Sequence, residues 1–242
     1  MIVNIDANAL QSSLQRLRQA TFDADVVAVM KRAVNAVHGV FGCSGAGIMF
    51  ITESGQLSYV AASDEAGRQL EQAQAVAGHG PCYDSYVYAR EVISSDLRTD
   101  SRWPRLPDHL PPEVRAVVGI PVLLSGIPVG TLNVYRDEPA DWDDSNVQAL
   151  RAYSDLIAEV IGSALAAQDH SVLAKQLQYA LDYRVVIERA VGYLMGSQGL
   201  DAVTAFNALR KRARDSRRHV ADVAAEILPA TDTAPAGNHE ER

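Results

Sequence analysis

Residues 184–228 read RVVIERAVGYLMGSQGLDAVTAFNALRKRARDSRRHVADVAAEIL. Their apolar side chains recur at helical spacing in three runs. Ile187, Ala190, Val191, Leu194 and Met195 fall at i, i+3, i+4, i+7 and i+8, one stripe along one helix. Gly199 closes that helix, because glycine accepts left-handed backbone. Asp201 caps a second helix, in which Ala205, Phe206, Leu209 and Ala213 point inward while Arg210, Lys211, Arg212 and Arg214 spread around the sides. Ser216 is placed to cap a third, with Val220, Val223, Ala224, Ile227 and Leu228 at the same spacing. Three short helices with one stripe each bury one another only as a bundle. Basic residues outnumber acidic ones eight to five in this stretch, whereas the whole chain carries a net charge of −8. A basic module on an acidic body suits a polyanion as partner, although charge alone equally allows a solvated helix face.

Val186-Ile187-Glu188-Arg189-Ala190-Val191-Gly192-Tyr193-Leu194-Met195, then Ala205-Phe206, Leu209-Arg210 and Ala213, then Val223-Ala224, resemble the ANTAR domain over nearly all of residues 180–228. That family is a three-helix RNA-binding module of transcription antiterminators. The resemblance implies RNA hairpins in a nascent transcript as the partner. With that partner, the basic residues of the stretch, Arg184, Arg189, Arg210, Lys211, Arg212, Arg214, Arg217 and Arg218, together with Gly192 and Tyr193, are the candidate RNA-binding residues. The cations would neutralise phosphates, and Tyr193 or an arginine plane would stack on unpaired loop bases. Many relatives carry lysine where this chain has Val191. Gly192 and the alanines also have a plainer reading as small residues that let helices pack closely.

Upstream, the pattern is α+β. Leu10, Leu14 and Leu17 mark an amphipathic helix in residues 1–20, unlike a signal sequence. Val26, Val29, Met30, Ala33, Val34 and Val37 mark a second helix starting near Asp23. Two apolar runs, 47–51 and 57–62, flank Glu53-Ser54-Gly55-Gln56 as a hairpin, and 91–94 is a short strand. Runs 117–124 and 129–135, joined through Ser125-Gly126, form a second hairpin. Asp141-Trp142-Asp143-Asp144 then opens a helix with acids where its dipole favours them. An antiparallel sheet flanked by helices follows. Gly78-His79-Gly80-Pro81-Cys82, Arg102-Trp103-Pro104, Gly119-Ile120-Pro121-Val122 and Gly130-Thr131-Leu132-Asn133-Val134 resemble the GAF domain, a small-molecule sensor fold, over residues 21–165. GAF domains joined to ANTAR domains often carry an acid where this chain has His79. The long loop at 78–104 predicts a lid, with His79, Cys82, Trp103 and Asn133 as ligand-binding residues for an unknown small molecule.

No proline occurs between 144 and 196, and Leu150, Ile157 and Ala164, with Tyr153, Val160, Ala167, Ala174 and Leu181 out of phase, form a heptad seam. The seam weakens at Gln168 to Ser171 and resumes at Leu173, Leu177, Ala180 and Ile187. This predicts one long helix through a coiled-coil linker at 166–183 and a homodimer; two helices with a polar joint are the alternative. The chain thus divides into an N-terminal helix, a sensor, the linker, a module at 184–228 and a disordered tail at 229–242. Cys43 and Cys82, without a targeting segment or membrane span, indicate the cytoplasm. Pro81 would start a helix whose dipole lowers the Cys82 pKa, so a thiol-dependent GAF enzyme with Cys43 as resolving partner is one alternative. A DNA-binding output is another, disfavoured by the acidic, alanine-rich third helix with Asp222 and Glu226. No metal spacing, phosphate loop or nucleophile elbow occurs, so the expectation is a regulator with no catalytic residue, no metal and no cofactor.

Overall fold

A computed structural model describes residues 6–19, 26–166 and 172–229. One antiparallel sheet organises it, from β1 (Gly45–Ile51), β2 (Leu57–Ala62), β3 (Val92–Ser94), β4 (Ala116–Leu124) and β5 (Ile127–Arg136), in the order β2-β1-β5-β4-β3. Every residue of β1 is buried, because helices cover both faces. Strand alternation sorts the side chains. Ala46, Ile48 and Phe50 of β1 and Leu132 and Val134 of β5 face α1 (Ala7–Gln19), α2 (Val26–Phe41) and α5 (Asp144–Ala166). Met49, Ile51 and Tyr135 face the opposite layer, and so, by the same alternation, do Thr131 and Asn133. That layer holds α3 (Glu65–Ala77) and α4 (Pro81–Tyr88), with a 3-10 turn at Leu106–His109. Both hairpins, α1, α2 and the start of α5 lie where the sequence places them; Asn146 N–H donates to Asp143 Oδ1 at 2.8 Å, capping α5.

Sequence periodicity does not reveal α3. Its buried stripe is Gly67, Leu70, Glu71 and Gln74, helical in spacing but half polar. Its ends are conventional: Asp64 Oδ1 accepts the Gly67 N–H at 2.7 Å, and Gly78 closes it at φ 68°. The segment 78–104, expected as a long loop, contains α4 and β3, with turns and bends over most of the rest.

The long helix is corrected to two helices, α5 and α6 (Val172–Gln198). The joint at Gln168 to Ser171 lies outside the described residues, as does the expected tail beyond 229. Leu150, Tyr153, Ile157 and Val160 are buried within this chain's own core, where α5 packs on β4 and α2. They do not face a second copy. A helix running straight on from Ala166 would carry Ile187 ~30 Å away at 1.5 Å per residue. Instead Ile187 is buried in the same cluster as Tyr86 of α4.

With α7 (Ala202–Ser216) and α8 (Val220–Ile227), α6 forms the three-helix module through Ala190, Leu194, Phe206, Leu209, Ala213, Val220 and Ala224. Asp201 caps α7 as expected, accepting the Thr204 N–H at 2.9 Å. Ser216 does not cap α8. It ends α7, its hydroxyl donating back to Arg212 O at 2.7 Å, while Arg217 turns the chain at φ 54°.

Gly119 is where α4 approaches the sheet. A Cβ there would lie 3.0 Å from both Cys82 Cα and Pro81 O, backbone that cannot swing aside. Gly119→Ala should therefore lower stability by about 1–3 kcal/mol. Gly192, by contrast, has nothing within 4 Å of a built Cβ, so Gly192→Ala should stabilise the helix by up to ~1 kcal/mol. Chemical denaturation of both variants checks the pair of signs.

Candidate functional site

Polar side chains meet beneath α3 and α4. Asn133 Nδ2 donates to Glu71 Oε1 at 2.8 Å and to Thr131 Oγ1 at 3.1 Å. One turn along α3, Gln74 Nε2 donates to Cys82 Sγ at 2.8 Å, and its Oε1 accepts the Cys82 N–H at 2.9 Å. A single amide thus ties the start of α4 to α3. Glu71, Gln74, Cys82, Ser85, Thr131 and Asn133 are all buried. Burial lifts the Glu71 carboxyl to about 8, against the Asn133 bond that lowers it. Glu71 Oε2, Asn133 Oδ1 and Ser85 Oγ are buried without a hydrogen-bond partner among the described residues, which is unspent bonding capacity inside the domain.

Of the expected ligand residues, Cys82 and Asn133 join this cluster, linked through Gln74 and Glu71. Trp103 lies farther along α4, its Nε1 donating to Asp84 Oδ2 at 3.0 Å and its ring 4.2 Å from the Arg102 guanidinium carbon. His79 is half-buried on the α3–α4 connection, and burial, with Arg105 and His109 nearby, holds its imidazole below the usual range. Glu71, Gln74, Ser85 and Thr131 escape sequence reasoning because apolar periodicity does not register polar residues that face inward.

The Cys82 expectation is reversed. Burial first, then the neighbouring Glu71, pushes its thiol well above the usual range, and burial raises Cys43 to about 11. The helix terminus does not offset that desolvation. The two thiols are free and sit in separate apolar clusters on opposite faces of the sheet, so they are not brought together as a redox pair.

The basic module packs against the outer side of α4. Arg210 Nη1 donates to the Tyr83 hydroxyl at 2.6 Å, and that hydroxyl donates to Asn207 Oδ1 at 3.0 Å. Asn207 Nδ2 donates to Gly78 O at 2.7 Å. Phe206 sits 6.3 Å from the Tyr83 ring and 5.9 Å from the Tyr86 ring. Arg184 Nη1 donates to the Tyr86 hydroxyl at 3.2 Å, and Arg184 also pairs with Glu188 at 2.7 Å.

This sorts the ten expected RNA residues. Arg210 is 7% exposed and Arg184 is half-buried, so in this arrangement neither presents its charge to a nucleic acid. Arg189, Gly192, Tyr193, Lys211, Arg212, Arg214, Arg217 and Arg218 are exposed. Gly192 does not serve close packing, given the open space around it. Tyr193, Arg212, Ser216 and Arg218 line a groove of about 690 Å³ between the helices. The ion pairs Lys211–Asp215 at 2.6 Å and Arg218–Glu226 at 2.7 Å are solvent-exposed, where such pairs are weak enough for a phosphate to displace.

Comparison with known proteins matches two family models, a GAF domain over residues 23–162 and an ANTAR domain over 175–228. The nitrate regulatory protein of Klebsiella oxytoca is 36% identical over 90 residues, 37% of this chain and 22% of that protein. The chain thus spans under a quarter of the length of this curated relative. Among solved structures, the GAF domain of a phosphoenolpyruvate-protein phosphotransferase from Coxiella burnetii superposes at TM-score 0.56 and 15% identity, covering 67% of this chain and 98% of that one. The free methionine-R-sulfoxide reductase of Neisseria meningitidis superposes at 0.54 and 16%, covering 69% and 97%. At such identity the likeness is one of fold. No described helix is long and apolar enough to cross a membrane.

The raised Glu71 pKa has a sign that stability measurements can read. Folded Glu71 keeps a proton between its ordinary value of 4.5 and about 8 that the unfolded chain releases. Its contribution is therefore full below the lower value and lost as pH rises through the upper one, by about 1.4 kcal/mol per pH unit inside the window. Glu71→Gln keeps an acceptor for Asn133 and removes the titration. The stability difference between wild type and variant should shift in favour of the variant from pH ~5 to ~8, as denaturation midpoints at each pH would show.

Proposed function

The chain belongs to the GAF domain family, and from that premise we propose that it is a signal-responsive regulator that binds hairpin RNA through its ANTAR module and so controls transcription termination in the cytoplasm. The observation that carries this reading is the sharing of α4. Cys82 ties that helix to the buried polar cluster, and Tyr83, the next residue, holds Arg210 of the module. A small molecule that bonds to Glu71, Asn133 or Ser85 would shift the helix on which the module rests. It can do so only by the difference in its affinity for the two arrangements, so ligand and RNA would influence each other reciprocally.

The exposed cations of α7 and its C-terminal turn supply phosphate neutralisation, and Tyr193 in the adjoining groove supplies a stacking face. Hairpin loops, with their splayed bases, suit that combination better than the closed grooves of duplex DNA. The sensed signal is a small molecule rather than a redox state, because both thiols are buried on opposite faces of the sheet and burial pushes their pKa values up. Homodimerisation is part of the proposal in a different place from the heptad seam. Tyr183 and Val185, 44% and 66% exposed on α6, offer an apolar surface to a second copy.

Three measurements test this. Arg212→Ala combined with Arg217→Ala should weaken binding of a labelled RNA hairpin and reduce the slope of log affinity against log salt by about 1.5–2. Equal affinity for hairpin RNA and a scrambled DNA duplex of the same length would contradict the RNA reading. Tyr83→Phe, which removes the hydroxyl holding Arg210, should weaken hairpin binding several-fold without changing the salt slope, since no phosphate contact is lost; unchanged affinity would contradict coupling through α4. Light scattering should report a dimer that Val185→Lys dissociates, and a wild-type monomer would end the dimer proposal.

A further inference from the structure

Lys175, near the start of α6, lies outside the residues that resemblance or charge run singles out, yet it shares a cleft with the basic end of α7. Lys175, Arg214, Arg217 and Arg218 line about 570 Å³ of space whose far wall is the β1–β2 turn of the sensor, through Thr52 and Ser54. Arg218 also lines the groove beside Tyr193, and Arg214 also lines a hollow of about 230 Å³ against Gln56. The three depressions therefore neighbour one another from the helical module to the sensor, and the groove beside Tyr193 is the least basic of them, since Asp215 and Glu226 offset Arg212 and Arg218 there.

Four permanent cations line the cleft with one carboxylate, Glu53, which lies 3.7 Å from His219 Nδ1; Arg218 and Arg214 also reach Glu226 and Asp215 outside it. The Lys175 and Arg217 side chains make no hydrogen bond or ion pair among the described residues. Arg217 occupies the left-handed turn after α7 at φ 54°, a position that usually goes to glycine. An arginine there keeps a charge over the cleft where glycine would relieve the backbone. On the opposite wall the Thr52 and Ser54 hydroxyls lie 2.9 Å apart. One O–H is used between them, so the other remains a donor. Cations facing hydroxyl donors are the usual company of a phosphate. The Val220 N–H, 3.4 Å from Glu53 O, holds the two walls together.

We infer that the RNA backbone gripped by the module continues into this cleft, making the sensor's β1–β2 turn part of the RNA interface. Lys175 and Arg217 neutralise phosphates there, the Thr52–Ser54 pair donates to phosphate oxygen, and Glu53 opposes the strand. The inference rests on the RNA-binding reading above and extends it to residues of the sensor domain. RNA then bridges the two domains, and its binding stabilises their docked arrangement. A strand fits better than a compact polyphosphate because depressions neighbour the cleft on both sides, sharing Arg218 and Arg214 with it.

The test is the salt dependence of hairpin affinity for the full chain, wild type against Lys175→Gln, Glu53→Gln and, as a reference, Arg212→Ala, with binding of inorganic tripolyphosphate measured in parallel. Lys175→Gln should weaken hairpin binding and lower the salt slope by about 0.7–0.9, the share of one phosphate contact. Glu53→Gln should tighten binding several-fold. If both variants match wild type while Arg212→Ala loses affinity, the cleft inference fails and the RNA reading stands. If Lys175→Gln weakens only tripolyphosphate binding, the cleft serves a small polyanion and the inference fails. If wild type does not bind the hairpin at all, both fail. Thermal melting separates loss of fold from loss of contact, and Lys175 is solvent-exposed, so its substitution leaves the core intact.

Discussion

A guanidinium taken out of water must recover hydrogen bonds from the protein, and the shortest that Arg210 makes crosses to another domain, while its buried Nε has no partner among the described residues. It pairs with no carboxylate among the described residues. Its Nη1 reaches the Tyr83 hydroxyl at 2.6 Å and Asn207 Oδ1 at 3.2 Å, and its charge sits 5.2 Å from the Tyr83 ring centroid. Buried charge is tolerated only where such partners are in place. The helical module is thereby held to one position on α4. Asn207 completes the anchorage by bonding Gly78, the residue that closes α3. Gly55 fits the same boundary, since a Cβ there would lie 3.3 Å from Arg210 Cγ and Val220 Cβ.

The sheet sorts the sensor into two unlike layers, and the anchorage sits on one of them. Its alternation sends Leu132 and Val134 into an apolar layer with α2 and α5, and Thr131 and Asn133 into the layer that holds α3 and α4. The first layer is a conventional core. The second contains Glu71 bonded to Asn133 and Gln74 bonded to Cys82, with bonding capacity left over. Incompletely satisfied polar groups make an arrangement that a ligand can improve, whereas a close-packed apolar layer offers it nothing. The module rests on the outside of this polar layer.

Much of this was legible in the sequence, and the failures share a cause. Strands, hairpins, α2 and the three module helices follow from apolar spacing, and turn chemistry placed Gly199 and Asp201 correctly. Helix α3 is not legible because half its inward stripe is polar, and Glu71 and Gln74 escape as site residues for the same reason. The α5 stripe was legible as buried, but a stripe does not say what buries it. A sheet and a second copy demand the same spacing, and Leu150 and Ile157 found the sheet. Nothing in the run Arg210-Lys211-Arg212 marks the first as an internal anchor and the other two as surface cations. That distinction depends on which side of α7 meets Tyr83, a tertiary fact.

The central claim, that a cross-domain bond between Arg210 and Tyr83 fixes the module on the sensor, is tested most directly by a double-mutant cycle on the full chain. Stabilities of wild type, Tyr83→Phe, Arg210→Met and the double variant would be measured by chemical denaturation. The expected coupling energy is on the order of 1–2 kcal/mol in favour of the pair, as for residues sharing a buried hydrogen bond. Additivity within about 0.3 kcal/mol, the behaviour of residues that do not touch, would contradict the docked arrangement.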